Sequence, residues 1–348
     1  MYVLRSGFDL LYDAAKLVVF RLTSNDPERA HEMFEHACEF LYRNGLDRVV
    51  LDNKANGYRP PFKLSNAAGF NKDGKIPPST LKYLGFDRVV IGTVLHDKWE
   101  GNPRPRIRRY PGTRSMLNWI YLQSDGSRAV AERLLEYGDH GVPLIINIMP
   151  TPGKEGHELL QDLEDNVADF RSNRYVDGLE LNVSCPNKKA GEADPRGKYQ
   201  KQLAGMLGVV SGAKYLFQDL YIKVSPDLEP EEVRETLDVA RDYPVNGFTI
   251  SNTTTTHDPR YIPDSPGKVG ASGDAVYEAS LRTQRMFEEL MTEYDRDWEI
   301  NICGGISSLE RLDERFSERV RGIQVLTPLV FSGTRLMRKL REYRVENK

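Results

Sequence analysis

KLSNAAG, at residues 63–69, is the first of eight short strand-like runs that alternate with helical stretches along the chain. The other runs are RVVIGTV (88–94), LIINIM (144–149), GLELNVS (178–184), LYIKVS (220–225), GFTISN (247–252), EINICGG (299–305) and GIQVLT (322–327). Helical stretches lie between them, for example at 127–138, 197–212, 229–242 and 276–293. Eight β units that alternate with helices predict an α/β fold, a closed parallel TIM (β/α)8 barrel over residues 51–348.

The competing fold is an open, doubly wound sheet, which typically carries a GxGxxG motif directly after its first strand. The first run here is not followed by that motif. The 348 residues are enough for two domains, but barrels of about 250 residues commonly form one. The count of eight runs therefore favours the barrel.

Residues 1–50 are predicted to form a small helical extension on the barrel. Their apolar segment 7–22 carries four charged residues, so it does not fit a membrane-spanning helix, which needs about 20 mostly apolar residues. It fits either an amphipathic helix on a membrane surface or a helix packed on the body of the protein. Asp26 and Pro27 predict the start of a second helix that stops at Gly45.

The composition excludes several classes of protein. The 48 basic and 51 acidic residues leave a net charge of −3, without the basic field of a nucleic-acid-binding protein. The three cysteines are far apart, which predicts no disulfides and a reducing compartment. The six histidines lack zinc-ligand spacing, so no metal site is predicted. Cys38 and Cys303 are expected to be buried, inert thiols, and His31 and His36 to be structural or surface residues.

The carboxyl ends of barrel strands line the active site, and here these ends are rich in amides and lysines. Asn side chains both donate and accept hydrogen bonds, so a ring of them suits a flat heterocycle with alternating carbonyl and N–H groups. A single strand-end Asn is usually a turn or cap residue, but several in succession indicate a site. The residues concerned are Asn66, Ala68, Gly69, Lys72, Thr93, Asn147, Asn182, Asn187, Lys223, Asn252 and Thr253.

Gly304 and Gly305 follow the seventh run and precede a helix, which predicts a phosphate cradle made of backbone N–H groups. Thr327, after the eighth run, adds an N–H and a hydroxyl. A glycine pair by itself also fits a simple tight turn. The position of this pair in the count of eight favours the cradle.

Cys185 is the candidate acid–base residue. It follows the fourth run and begins a long polar loop that fits a lid. A thiol has an ordinary pKa near about 8.5, close enough to neutral to take up a proton. The alternative is a buried thiol without a chemical role.

Seven motifs, in order across about residues 60–345, resemble the dihydroorotate dehydrogenase family: NAAGFNKDG, IGTV, NVSCPN, IKVSPDL, SNTTTT, ICGGI and IQVLT. The segment NDPERAHEMFEHA resembles the helical extension of the membrane-associated class, which passes electrons to a quinone. The resemblance implies an FMN-dependent oxidation of dihydroorotate to orotate in pyrimidine biosynthesis. It also implies a peripheral protein on the cytoplasmic face of the membrane, with no nucleic acid partner.

The resemblance also implies roles for individual residues. The FMN contacts would be Ala68, Gly69, Thr93, Asn147, Lys223 and Thr253, with Gly304, Gly305 and Thr327 at the phosphate. The substrate would lie among Lys72, Asn118, Asn182, Asn187, Asn252 and Thr253, with Thr254 nearby. Cys185 would take the proton from C5 of dihydroorotate while C6 delivers a hydride to flavin N5. Arg109 matches an arginine near the flavin and the quinone passage.

Three departures from the family pattern leave other functions open. The membrane-associated class normally has Ser as the base, whereas Cys185 is typical of the soluble classes. Tyr121 stands where the family has Gly, and Met149 begins a different sequence after Asn147. One alternative is a divergent flavoenzyme that acts on another C–C bond next to a carbonyl. A second is a non-catalytic barrel that binds a ligand or a membrane partner.

Overall fold

The computed structural model describes residues 18–19, 22–23, 26–51, 60–184, 198–213 and 215–344. Its strands are β1 Lys63–Asn66, β2 Val89–Val94, β3 Ile107–Tyr110, β4 Ser115–Asn118, β5 Leu144–Ile148, β6 Val176–Asn182, β7 Asp219–Val224, β8 Gly247–Ile250, β9 Gly270–Gly273, β10 Glu299–Cys303 and β11 Val320–Val325. Its helices are α1 Pro27–Arg43, α2 Asp47–Leu51, α3 Pro78–Leu84, α4 Ser127–Tyr137, α5 Gly156–Phe170, α6 Lys198–Gly212, α7 Pro230–Ala240, α8 Tyr277–Met291, α9 Leu309–Arg315, α10 Thr327–Ser332 and α11 Arg335–Arg341.

The predicted barrel is confirmed. Eight strands form one parallel sheet in the order β1-β11-β10-β8-β7-β6-β5-β2, and each coincides with one of the eight predicted runs. Between the two ends of this order lies a parallel bridge from Ser65 to Arg88. Beside it, the Asn66 side chain donates to the Val90 carbonyl at 2.6 Å and accepts from the Val90 N–H at 3.0 Å. The Asn66 side chain thus adds hydrogen bonds between β1 and β2, where the backbone pairing is shortest.

The strands are buried on both faces, as expected for a parallel sheet covered by helices. Every residue of β2 and of β5 is buried. The helices pack apolar side chains against the outer face, and Phe287 of α8 packs against Phe248 of β8 with ring centroids 4.9 Å apart and the rings tilted by 50°. This rigid layer fixes the directions of the side chains at the strand ends.

A small antiparallel sheet, β3-β4-β9, was not predicted from the sequence. In its register, Asn118 of β4 is opposite Gly270 of β9. Its strands have only four residues each, and the β9 sequence GASG lacks the alternating or β-branched pattern that identifies a strand. The sheet therefore forms through pairing of β4 with β9, whose residues are about 152 positions apart in the chain.

Helix α1 begins where the sequence predicted. Asp26 caps it by accepting from the N–H groups of Glu28 at 2.9 Å and Arg29 at 3.3 Å. Gly45, with a φ of +64°, follows its end. The buried Glu28 carboxylate lies 2.7 Å from Nε of Arg106, which ties α1 to the barrel.

Most of the predicted apolar segment 7–22 lies outside the described residues; Val18, Val19 and Leu22 are its described members. No helix in the described part of the chain is both long enough and apolar enough to cross a bilayer.

Candidate functional site

A cavity of about 950 Å³ opens at the carboxyl ends of the barrel strands. Helix α1 and the β3-β4-β9 sheet contribute to its wall through residues such as His31 and Ser272. It brings together most of the predicted site residues, namely Ala68, Gly69, Lys72, Thr93, Arg109, Asn118, Asn182, Lys223, Asn252, Thr253, Gly304, Gly305 and Thr327. His31, which was expected to be structural or on the surface, is partly exposed in this wall and packs edge-on against Phe70.

One part of the lining, called the side-chain part here, consists of Lys72, Asn118, Asn182 and Asn252. The amides are linked across strands: Asn252 Nδ2 donates to Asn182 Oδ1 at 3.4 Å, and Asn182 Nδ2 donates to the Thr93 hydroxyl at 3.2 Å. Asn118 Nδ2 donates to the Gly270 carbonyl at 3.3 Å. The β3-β4-β9 sheet thereby holds Asn118 against the same cavity as the strand-end amides.

Lys72 is the cation of the side-chain part. Burial lowers its pKa to about 8, with Arg106 acting in the same direction and Asp73 opposing it. Among the described residues its ammonium has no hydrogen-bond or ion-pair partner. An ammonium that is partly removed from water and lacks a direct partner is costly, so this position suits an anionic ligand.

Lys223 lies on the cavity floor and is almost fully buried. Its Nζ is 3.4 Å from Gln324 Oε1 and 3.9 Å from the sulfur of Cys303. Cys303, the last residue of β10, is buried as predicted, but it also lines the cavity. Burial raises the pKa of its thiol, so Cys303 contributes a neutral, polarisable surface at the floor.

The other part of the lining, called the backbone part here, consists of Gly304, Gly305 and Thr327. Gly304 and Gly305 have φ values of +99° and +74°, and a Cβ on Gly305 would lie 2.6 Å from the Cβ of Tyr277. Only glycine therefore fits this turn. Arg315, fully buried, donates to the Gly304 carbonyl at 2.7 Å and fixes the direction of that peptide.

The backbone part fits a phosphate. The N–H groups of Gly304, Gly305 and Thr327 have no acceptor among the described residues, and all three residues line the cavity. Backbone donors at a glycine turn and at the first turn of a helix are a common way to bind phosphate oxygens. The lining thus supplies donors for a phosphate in its backbone part and polar groups for a flat ring elsewhere.

Several predicted residues are placed differently. Asn147 is completely buried beneath the cavity and donates to Glu180 Oε1 at 2.7 Å. This placement does not support its predicted FMN contact. Thr254 is also buried, with its hydroxyl 2.5 Å from Asp227 Oδ1. Cys185 and Asn187 lie outside the described residues, although the preceding Ser184 lines the cavity.

The sequence did not identify several residues of the site. Gln324 is buried in the cavity floor and Glu180 is buried beneath it. The only indication of them in the sequence was a polar residue inside the apolar runs GLELNVS and GIQVLT. Tyr121, which was noted for replacing a glycine, lines the cavity and has a φ of +59°, as does Leu122. Both residues thus keep a left-handed backbone, which is strained for side chains other than glycine.

Comparisons with known proteins agree with this geometry. The family model described as "Dihydroorotate dehydrogenase" matches residues 51–343. Among curated proteins, "Dihydroorotate dehydrogenase (quinone)" of Sphingopyxis alaskensis is 28% identical over 340 residues, covering 96% of this chain and 93% of that protein. The protein of the same name from Synechococcus sp. (strain JA-3-3Ab) is 31% identical, covering 95% and 91%.

The solved structures show a similar fold. A crystal structure of the dihydroorotate dehydrogenase of Eimeria tenella in complex with ferulenol superposes with a TM-score of 0.74 at 21% identity, covering 90% of each chain. The ligand-free form of that protein gives a TM-score of 0.73 at 22% identity, covering 91% of this chain and 93% of that one. At this identity the likeness supports the barrel architecture.

Proposed function

Since the chain belongs to the dihydroorotate dehydrogenase family, we propose that it oxidises dihydroorotate to orotate, with FMN as its cofactor and a quinone as the final electron acceptor. The observation that carries this proposal is a single cavity that combines unpartnered backbone donors, linked amides and a lysine with no hydrogen-bond or ion-pair partner among the described residues. These are the groups that a phosphate, a planar ring system and a carboxylate need.

Residues of the backbone part would hold the FMN phosphate through the N–H groups of Gly304, Gly305 and Thr327. Bound there, FMN would supply an acceptor for one hydride, which carries two electrons. Lys223, on the floor, would place a positive charge near the ring, where negative charge develops on reduction. Ala68, Gly69, Thr93 and Thr253 line the same cavity and would complete the contacts with the cofactor.

Residues of the side-chain part would bind the substrate. Lys72 would neutralise the carboxylate of dihydroorotate, and Asn118, Asn182 and Asn252 would pair with the carbonyl and N–H groups of its ring. Cys185 would take the proton from C5 as a hydride leaves C6, so that the substrate loses two electrons and two protons. The quinone would gain two electrons and two protons in the second half of the cycle.

Anaerobic stopped-flow spectroscopy tests the proposed reaction. We expect the purified protein to be yellow and its flavin absorbance to bleach when dihydroorotate is added. A colourless protein that takes up no FMN would contradict the flavin site and favour a non-catalytic barrel.

The second candidate is a divergent flavoenzyme with a different substrate, which the Tyr121 side chain in the cavity favours. Bleaching by another compound with a C–C bond next to a carbonyl, and none by dihydroorotate, would support it.

The helical extension carries an exposed apolar surface, which we propose as the contact with a membrane that contains the quinone. Large apolar side chains at its surface include Leu22, Met33, Phe40, Leu46 and Val49. Met33 and Phe40 are seven residues apart, so they lie on the same side of α1. Because α1 also supplies His31 to the cavity wall, this helix connects the apolar surface to the opening.

A double variant, Met33→Gln with Phe40→Gln, tests this contact. We expect weaker binding to lipid vesicles and slower reoxidation by a long-chain quinone in those vesicles, with unchanged reoxidation by a water-soluble quinone. Equal rates in both assays would contradict the proposed membrane contact. Full-length variants are preferable to deleting residues 1–50, because the deletion would leave Arg106 without Glu28.

A further inference from the structure

A buried carboxylate lies beneath the cavity floor and is not part of the mechanism above. Glu180, on β6, is fully enclosed in the barrel. Its Oε1 accepts from Asn147 Nδ2 at 2.7 Å, and its Oε2 accepts from the Thr249 hydroxyl at 2.5 Å and from Gln324 Nε2 at 2.7 Å. Three donors from three other strands therefore converge on one carboxylate.

This arrangement determines which way the Gln324 amide faces. A carboxylate only accepts hydrogen bonds, so Gln324 must direct its NH₂ group to Glu180 and its carbonyl oxygen the other way. That oxygen is the atom that accepts from Lys223 Nζ at 3.4 Å. The hydrogen bonds thus form a line from Glu180 through Gln324 to Lys223.

The two ends of this line differ in their surroundings. Gln324 and Lys223 line the cavity, whereas Glu180 is buried beneath them. Lys223 also meets the thiol of Cys303, which is a weak acceptor. Among the described residues, the Gln324 carbonyl is therefore the stronger of the two acceptors that orient the ammonium.

We propose that Glu180 is a positioning residue that holds the Gln324 carbonyl toward Lys223 and so fixes the Lys223 ammonium for contact with the flavin ring. This inference rests on the proposed flavin site. In a Glu180→Gln variant, one end of the residue becomes a donor. It then opposes the donors of Asn147 or of Gln324, and the Gln324 amide is free to turn its NH₂ group toward Lys223.

A double-mutant cycle on FMN affinity tests this role. The full-length protein is stripped of flavin, and the FMN dissociation constant is measured by fluorescence quenching for wild type, Glu180→Gln, Lys223→Met and the double variant. We expect Glu180→Gln to weaken FMN binding about tenfold by itself, since a hydrogen bond to a charged group is lost. In the Lys223→Met background the same change should have an effect of less than about twofold, because the two residues act through one contact.

Thr249→Val is the matched control, because it removes one hydrogen bond to Glu180 without touching Gln324. We expect it to change FMN affinity by less than about threefold. Circular dichroism establishes that each variant is folded. If Glu180→Gln does not fold, the same cycle with Gln324→Met decides the question, since that change removes the intermediate residue and leaves Glu180 in place.

Losses that simply add in the double variant would overturn the proposal and assign Glu180 a purely structural role, as would unchanged affinity in the single variant. A wild-type protein that binds no FMN would instead contradict the proposed function. The two failures are therefore distinguishable.

Discussion

The backbone part of the cavity differs from the side-chain part in how its donors are fixed. Gly304 and Gly305 present N–H groups whose direction follows from a glycine-only turn that Arg315 holds from behind. Lys72 and Asn118 present side-chain groups, and the Lys72 ammonium has no hydrogen-bond or ion-pair partner among the described residues. A phosphate contact made by the backbone of a glycine-only turn tolerates little variation in sequence. Contacts made by side chains can be altered by substitution, so they can be adapted to a different substrate. Tyr121, one of the three departures from the family pattern, lines this cavity together with Asn118.

The largest effect is expected for Cys185→Ala, which should spare the backbone part and stop the chemistry. Loss of a general base typically costs about 10²–10⁴-fold in turnover, while FMN should stay bound and the protein yellow. Steady-state kinetics together with the flavin absorbance at full loading measure both properties. Unchanged turnover would remove Cys185 from the acid–base role. Loss of FMN would show that the backbone part does not bind the cofactor independently of the residues that carry out the chemistry.

Affinity for an anionic ligand should depend on pH through Lys72. The pKa of Lys72 is lowered to about 8, so its ammonium is charged below that pH and becomes neutral above it. Binding of orotate should therefore weaken as pH rises through about 8, by up to roughly tenfold per pH unit if only the charged form binds.

Titrating orotate into the Cys185→Ala variant measures this effect without turnover or titration of the Cys185 thiol. Lys72→Met is the control and should bind orotate weakly at every pH, with no inflection near 8. An unchanged inflection in Lys72→Met would show that another group is responsible.

Arg315→Met should weaken the backbone part. Arg315 donates to the Gly304 carbonyl, the Ile250 carbonyl and the Gln284 side chain, and its loss leaves buried acceptors unpaired. We expect a loss of about 3 kcal/mol in the free energy of unfolding, since each unsatisfied buried group costs about 1–3 kcal/mol. FMN affinity should fall about tenfold, because the peptide of Gly304 is no longer held.

Urea unfolding of the flavin-free protein and FMN titration measure these two changes. Arg285→Met is a matched control, because Arg285 is exposed and lies 3.5 Å from Glu314; its effect should stay within about 0.5 kcal/mol. Normal FMN affinity in Arg315→Met would mean that the turn keeps its shape without the guanidinium.

The smallest effect is expected for Tyr121→Gly. Its left-handed backbone is strained for tyrosine, so glycine should raise the stability slightly, by up to about 1 kcal/mol. The orotate dissociation constant should change if the phenol contacts the substrate. Leu122→Gly, with the same φ of +59°, controls for relief of strain. Equal orotate affinity in wild type and Tyr121→Gly would leave Tyr121 without a role in substrate choice.

Much of the site was predictable because it is local in sequence. A residue that directly follows a strand in a parallel barrel must lie at the same end as its counterparts, and so Lys72, Asn182, Asn252 and Gly304 were expected to meet. Which face of a strand a residue occupies was harder to predict, because both faces of these strands are buried and the hydrophobic pattern does not distinguish them. For this reason Asn147 was expected in the cavity but lies beneath it. Cys303, by contrast, was expected to be a buried, inert thiol but lines the cavity.

The sequence alone determined the eight-stranded barrel, the cap and end of helix α1, and the glycine turn, since each depends on periodicity or on the conformational limits of neighbouring residues. The tertiary structure decided what pairs across long separations: the β3-β4-β9 sheet, the contact of Glu28 with Arg106 over 78 residues, and that of Gln324 with Glu180 over 144 residues. These contacts depend on how the closed barrel staggers its strands and on which loops then meet. No local pattern in the chain encodes that geometry.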